Sequence, residues 1–222
     1  MNLTKLFEMQ RELDERIVKE KGLEGQDLLP QKILALQVEL GECANEWRGF
    51  KFWSKDQKPR TELQHLCTVC DGTGDENSQA NLESRLDGGS GYPYLECEEC
   101  GGTGKLHVSN PLLEEYIDCL HFILSIGLDI GFDPEEALYL IDHNVQIFKS
   151  LEGITQQFND IFTAIAETLL EGTIVNADYE NYEDLVLCFI GLGEMLGFTW
   201  DQIEEAYMSK NAVNHERQST GY

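Results

Sequence analysis

The chain has 222 residues, and its 16 Lys plus Arg against 41 Asp plus Glu give a formal net charge of −25. Such a surface repels a nucleic-acid duplex or an anionic membrane, so neither is an expected partner. No apolar run approaches the roughly 18 residues of a membrane span, and the length fits one domain with an insertion or two small domains.

The N-terminus, MNLTKLFEMQRELDERIVKEKG, is charged throughout and does not read as a signal peptide. Leu6, Met9, Leu13 and Ile17 recur at helical spacing and predict a helix over 3–21. Pro30 stands where a second helix can start, over 31–48, with an apolar face of Ile33, Leu36 and Leu40. The texture then changes over 55–107, where CTVCDGTG, a polar stretch and CEECGGTG are dense in glycine and keep no 3.6-residue period. That segment reads as an insert of loops and turns. Helical texture resumes over 112–130. Asp133 followed by Pro134 is a helix start, predicting a helix to about Lys149. Further helices are predicted over 154–172, 181–196 and 199–211, with Thr199 as the last N-cap. The expected fold is an all-α bundle of residues 1–54 and 108–222, interrupted once by the module 55–107.

The helix carrying ALQVELGECANEW has an acidic stripe beside its apolar one. Glu39 and Glu42 are about 60° apart on a helical wheel, and Glu46 returns to within about 20° of Glu39. The i, i+3 spacing recurs in LLEEYIDCLHFIL as Glu115 and Asp118, on a still more apolar helix. Two such helices face to face would gather four carboxylates, which repel one another unless a hard cation such as Mg²⁺ neutralises them. The alternative is that these acids are solvated faces and the charge serves solubility.

Seven cysteines carry the second signal. Cys67, Cys70, Cys97 and Cys100 form C-x2-C-x26-C-x2-C, a spacing compatible with one tetrahedral Cys₄ zinc. Each CxxCxGxG half resembles the cysteine-rich repeat of DnaJ-type chaperones, here in two copies, enough for one ion. Four cysteines close the site, which implies a structural role, with His65 and His107 as reserve ligands. Cys43, Cys119 and Cys188 read as small core residues. An odd cysteine count without an export signal predicts reduced thiols and a cytoplasmic location, bacterial or that of a virus-infected host.

ExxE followed by ExxD resembles the all-α nucleoside triphosphate pyrophosphatases, the MazG-like enzymes and dimeric dUTPases. The resemblance is carried by MQRELDERI (9–17), LQVELGECANEWRGFKFWS (36–54), EEYIDCLHF (114–122) and YMSKNAVNHERQSTGY (207–222). The tail pattern KN-x-x-N-x-x-RQ-x-x-GY is the most specific of these and points to the dimeric dUTPase branch. The resemblance implies a homodimer that cleaves dUTP, with dUDP a further candidate, to dUMP and pyrophosphate. It places Glu39, Glu42, Glu115 and Asp118 as ligands of two or three Mg²⁺ and as the catalytic set, with Glu46 behind them.

Given that substrate, the few cations near the motifs become phosphate contacts: Lys210, Arg217 and Lys51. Trp53 or Phe50 would stack on uracil, Gln10, Asn211 or Asn214 would bond its imide edge, and Tyr222 would close over the nucleotide with the tail. The competing readings are a pyrophosphatase of the same fold for dCTP or a wider set of nucleotides, and a zinc-containing interaction module without catalysis.

Overall fold

Leu3, Leu6, Phe7, Gln10 and Leu13 form the buried face of the first helix, α1 (Leu3–Lys21). The structure is a computed structural model, and it describes residues 3–133, 135, 151–171 and 180–221. The remaining described elements are α2 (Leu29–Trp47), β1 (Leu63–Leu66), α3 (Ser78–Leu86), β2 (Lys105–Ser109), α4 (Pro111–Ile130), α5 (Leu151–Glu171), α6 (Glu180–Leu196) and α7 (Trp200–Thr220). The fold is an all-α, MazG-like helical bundle, with one two-stranded ribbon among the described residues. The chain divides into two compact units, Arg60–Pro111 and the rest.

Within the bundle unit, α4 is the central element. Leu112, Tyr116, Ile117, Leu120, Ile123, Leu124 and Ile126 are all buried along it. Two reciprocal notches lock it to α6. A Cβ on Gly127 would meet Tyr182 Oη at 2.2 Å, and a Cβ on Gly193 would meet Tyr116 Oη at 2.5 Å. Each tyrosine hydroxyl then donates to a backbone carbonyl of the facing helix, Tyr182 to Ile123 at 2.8 Å and Tyr116 to Phe189 at 3.1 Å. Glycine at both crossings lets large buried rings lie on helical backbone with their hydroxyls satisfied.

Helix ends follow local chemistry. Helix α2 begins at Leu29–Pro30, where Asp27 Oδ1 accepts from Leu29 N–H. It stops at Arg48, which is in the left-handed region (φ 65°) and returns its N–H to Ala44. Thr199 caps α7 with a full capping box, as predicted: its hydroxyl accepts from Gln202 N–H while Gln202 Oε1 accepts from Thr199 N–H. Helix α7 continues well past the expected end at 211 and terminates at Gly221. The reason is packing on α1: Arg16 donates to His215 O (2.9 Å) and Ser219 Oγ (3.0 Å). The helix expected over 133–149 lies outside the described residues except at its start, where Asp133 Oδ1 accepts from Glu135 N–H.

The second unit holds more regular structure than loops and turns. Strands β1 and β2 pair antiparallel, with Leu63 opposite Ser109 and His65 opposite His107. Residues 78–86 are helical despite their polarity, with no buried side chain. The centre of the unit is the four cysteines Cys67, Cys70, Cys97 and Cys100 rather than an apolar core.

Candidate active site and metal clusters

Glu39 and Glu42 lie one turn apart on α2, and Glu115 projects from α4 toward them. One carboxylate oxygen from each falls within 4.8 Å of the others. Burial raises the Glu115 carboxyl to about 7, with further repulsion from Glu42, Asp118 and Glu39. Burial also raises Glu39, reinforced by Asp118 and Glu42. Asp118, one turn beyond Glu115, instead accepts from Lys210 Nζ of α7 at 2.6 Å. Hard, mutually repelling oxygens on two rigid helices fit a divalent oxygen-seeking cation such as Mg²⁺. Glu46 is half-buried and outside this trio. Directly behind the acids, Cys43 and Cys119 are fully buried core residues, whereas Cys188 is only half-buried.

Beside the acids opens a cavity of about 470 Å³. Its apolar wall includes Leu13, Ile17 and Phe122, and its polar wall includes Gln10, Asp14, His121, Ser125, Lys210, Asn214 and Arg217. Glu39 and Asp118 form the edge toward the metal cluster. The expected residues Gln10, Lys210, Asn214 and Arg217 thus converge here. Asn211 is buried nearby in sequence on α7 without lining the cavity. Lys51 and Trp53 are not in its wall: Lys51 Nζ donates to Asn45 O (3.4 Å) and sits over Phe50, while Trp53 is 65 % exposed and edge-on to Phe50 and Phe52. Tyr222 lies outside the described residues.

Behind the polar wall is a network that the motif reading missed. Gln10 Nε2 donates to Asp14 Oδ1 (2.7 Å), and Asp14 Oδ2 accepts from Ser125 Oγ (2.5 Å) and Lys32 Nζ (3.4 Å). Gln10 Oε1 faces His121 Nδ1 (2.7 Å) and accepts from Tyr207 Oη (2.8 Å). The His121 ring stacks on Tyr207 at 4.2 Å. A sequence signal existed: His121 follows Asp118 by three, extending the Glu115–Asp118 stripe.

In the second unit the two CxxCxGxG segments are related by an approximate twofold. Gly74 and Gly104 N–H point at Cys70 and Cys100 Sγ, each at 3.2 Å. Cys67 N–H bonds Gly104 O (2.9 Å), and Cys97 N–H bonds Gly74 O (3.0 Å), so each knuckle closes on the other. The Cys67–Cys97 and Cys70–Cys100 sulfur separations are both 3.8 Å, with no disulfide. Four thiolates around one ion at 2.3 Å in a tetrahedron stand about 3.8 Å apart, so this cluster fits zinc. His65 and His107 are not drawn in; they stack on each other at 4.1 Å, and His65 Nε2 pairs with Ser109 Oγ.

A helical bundle that brings Glu39, Glu42 and Glu115 together beside a cavity lined by Lys210 and Arg217, together with the family match that follows, supports a nucleotide pyrophosphatase-like enzyme. A family model described as dUTPase matches residues 2–72 and 104–222, and the chain belongs to this family. The match omits residues 73–103, the middle of the cysteine unit. Among curated proteins, none matches the chain. Among the described residues, no helix is long and apolar enough to cross a membrane.

Proposed function

We propose that the protein is a Mg²⁺-dependent dUTP diphosphatase, releasing dUMP and pyrophosphate. The observation that carries this reading is the convergence of Glu42 and Glu115 on Glu39, which itself lines a cavity walled by Lys210, Asn214 and Arg217. Glu39, Glu42 and Glu115 would hold the metal, with Asp118, one turn beyond Glu115, as the fourth candidate ligand. Bound Mg²⁺ supplies charge neutralisation and an acidified water for attack at the α-phosphate. Arg217 and Lys210 bind the phosphate oxygens, Arg217 by its fork. The cavity volume is within the range of small-ligand pockets, and Phe122 with the aliphatic wall provides apolar surface for the nucleoside.

Residues 1–54 and 108–222 form the catalytic domain in this proposal, and the chain acts as a homodimer. Residues 55–107 form a module held by one structural zinc on Cys67, Cys70, Cys97 and Cys100. The functional test is pyrophosphate release from each of the eight common ribo- and deoxyribonucleoside triphosphates, with Mg²⁺ and with EDTA. Strong preference for dUTP, lost in EDTA, is the expected result. Preference for dCTP or broad turnover replaces the substrate, and no release from any nucleotide sinks the proposal.

A further inference from the structure

Among the described residues, a buried nitrogen of a cavity-lining side chain has no partner. His121 is 6 % exposed, lines the cavity, and its Nε2 makes no hydrogen bond to any described residue. An orphaned buried polar atom at this depth carries a desolvation cost unless a ligand meets it.

Its protonation follows from its neighbours. The carboxylate of Asp14 only accepts, so the end of Gln10 facing it must be the amide nitrogen. Gln10 Oε1 is thereby turned to His121 Nδ1, at 2.7 Å. An oxygen acceptor there requires Nδ1 to carry the proton. Burial pushes the imidazole down to about 3, helped by the Lys210 charge, so the ring is neutral. Nε2 is therefore a bare acceptor. The ring is held by its stack on Tyr207, whose hydroxyl shares the same Gln10 oxygen. Asp14 is in turn fixed by Ser125 and Lys32, and Lys32 by Asp129 at 2.7 Å. The chain from Asp129 to His121 thus fixes a ring that lines the cavity and leaves the Nε2 lone pair unused, with both ends of the Gln10 amide occupied in fixing it.

We infer that His121 Nε2 is the specificity-determining acceptor for the imide N–H of the pyrimidine base. Uracil presents a ring N–H between two carbonyls, whereas cytosine presents a ring lone pair at the same position and would set two acceptors against each other. This inference rests on the pyrophosphatase reading of the site and assigns the source of its base preference. It moves base reading from Gln10, which positions, to His121, which touches.

The test compares dUTP, dCTP, N3-methyl-dUTP and 2′,3′-dideoxy-UTP on the full chain with Mg²⁺, in wild type and in His121→Asn. Asparagine keeps an amide nitrogen near the Nδ1 position for Gln10 and lacks the Nε2 acceptor. Wild type should turn over N3-methyl-dUTP with a kcat/KM at least about a hundredfold below that for dUTP, because a buried acceptor left unpaired is heavily penalised. His121→Asn should raise KM for dUTP by about tenfold and bring both the dUTP/N3-methyl-dUTP and dUTP/dCTP ratios toward one. Nitrogen NMR of the wild type should show His121 protonated at Nδ1 only. Equal wild-type turnover of dUTP and its N3-methyl analogue overturns the inference and leaves the pyrophosphatase reading intact. Ratios unchanged in His121→Asn, or a loss of discrimination only against the dideoxy sugar, also overturn it. Hydrolysis of no nucleotide at all overturns the pyrophosphatase reading and this inference with it.

Discussion

Lys210 Nζ stands 2.6 Å from Asp118 Oδ2, tying the C-terminal helix α7 to the acidic face of α4. Both side chains are about three-quarters or more buried, at 26 % and 20 % exposed. The pair is a counter-ion for a site that otherwise gathers negative charge. Lys210→Met should lower kcat/KM by on the order of a hundredfold or more, through loss of an electrostatic contact to phosphate. It should also destabilise the metal-free protein by about 1 kcal/mol, the scale of a partly exposed ion pair. Urea unfolding in EDTA and steady-state kinetics read the two effects separately.

Glu42→Gln keeps the shape of the acidic cluster and removes one charge. Metal clamping contributes several kcal/mol to the transition state, so activity should fall by on the order of a thousandfold. Calorimetric titration with Mg²⁺ should lose its strongest binding heat. Retention of both would remove Glu42 from the metal site.

The raised Glu115 carboxyl has a pH signature. Its ordinary value is 4.5 and its folded value is about 7 in the absence of metal. Between those values the folded chain holds a proton that the unfolded chain has released. The stability this group contributes is therefore present at low pH and is lost as pH rises through that window, levelling off above it. Mg²⁺ requires the ionised carboxylate, so its affinity should rise with pH over the same range. Chemical denaturation in EDTA between about pH 5 and 8 should show a falling midpoint that is flattened in Glu115→Gln. An unaltered slope in that variant contradicts the assignment.

Gly74 adopts φ +76°, and a Cβ there would lie 2.1 Å from Gly102 O. Gly74→Ala should therefore break the contact between the two knuckles. Cobalt substituted for zinc in wild type should give the spectrum of tetrahedral tetrathiolate, and the variant should bind it far more weakly. Far-UV circular dichroism should retain the bundle helices in both, because the cysteine unit is compact by itself. Cys67→Ser should act like the glycine variant, and a wild type purified without chelators that holds no zinc would falsify the Cys₄ assignment.

The Gly127 notch predicts a packing effect. Alanine there would drive Cβ into Tyr182 Oη, which is itself bonded to Ile123 O. The expected destabilisation is about 1–3 kcal/mol, measurable by thermal unfolding. Tyr182→Phe combined with Gly127→Ala should recover only part of it, since the hydroxyl clash is removed while the ring carbon Cζ still lies 2.7 Å from the new Cβ.

What the residues made legible was whatever repeats at a fixed spacing. Glu39, Glu42 and Glu115 and the four cysteines are written as i, i+3 pairs, and the helical wheel or the tight turn brings each pair to one place. The capping box at Thr199 is likewise local. Lys51 and Trp53 neighbour the motif in sequence, but the last α2 residue in the cavity wall is Glu39, and Arg48 ends the helix in a left-handed turn nine residues further on. The spacing from Asp118 puts His121 on the acidic stripe, but its contacts with Gln10 and Tyr207, 111 and 86 positions away in sequence, are not encoded by any spacing. The polar helix Ser78–Leu86 has no apolar stripe to announce it, and its first residue, Ser78, is held by a hydrogen bond from its Oγ to Cys70 O.

The β1–β2 ribbon has a consequence for how the bundle comes together. Glu42 and Glu115 are separated by 72 residues, and a structureless loop of that length costs roughly 4 kcal/mol of closure entropy beyond a constant. Leu63 faces Ser109 across an antiparallel pair, so departing and returning strands are about 5 Å apart. Once the cysteine unit has formed, most of the intervening chain drops out of the search that brings α2 to α4. The effective contact order of the acidic site is then set by the short lengths outside the ribbon. Refolding of the bundle should accordingly be faster with the thiolate cluster loaded than with it stripped.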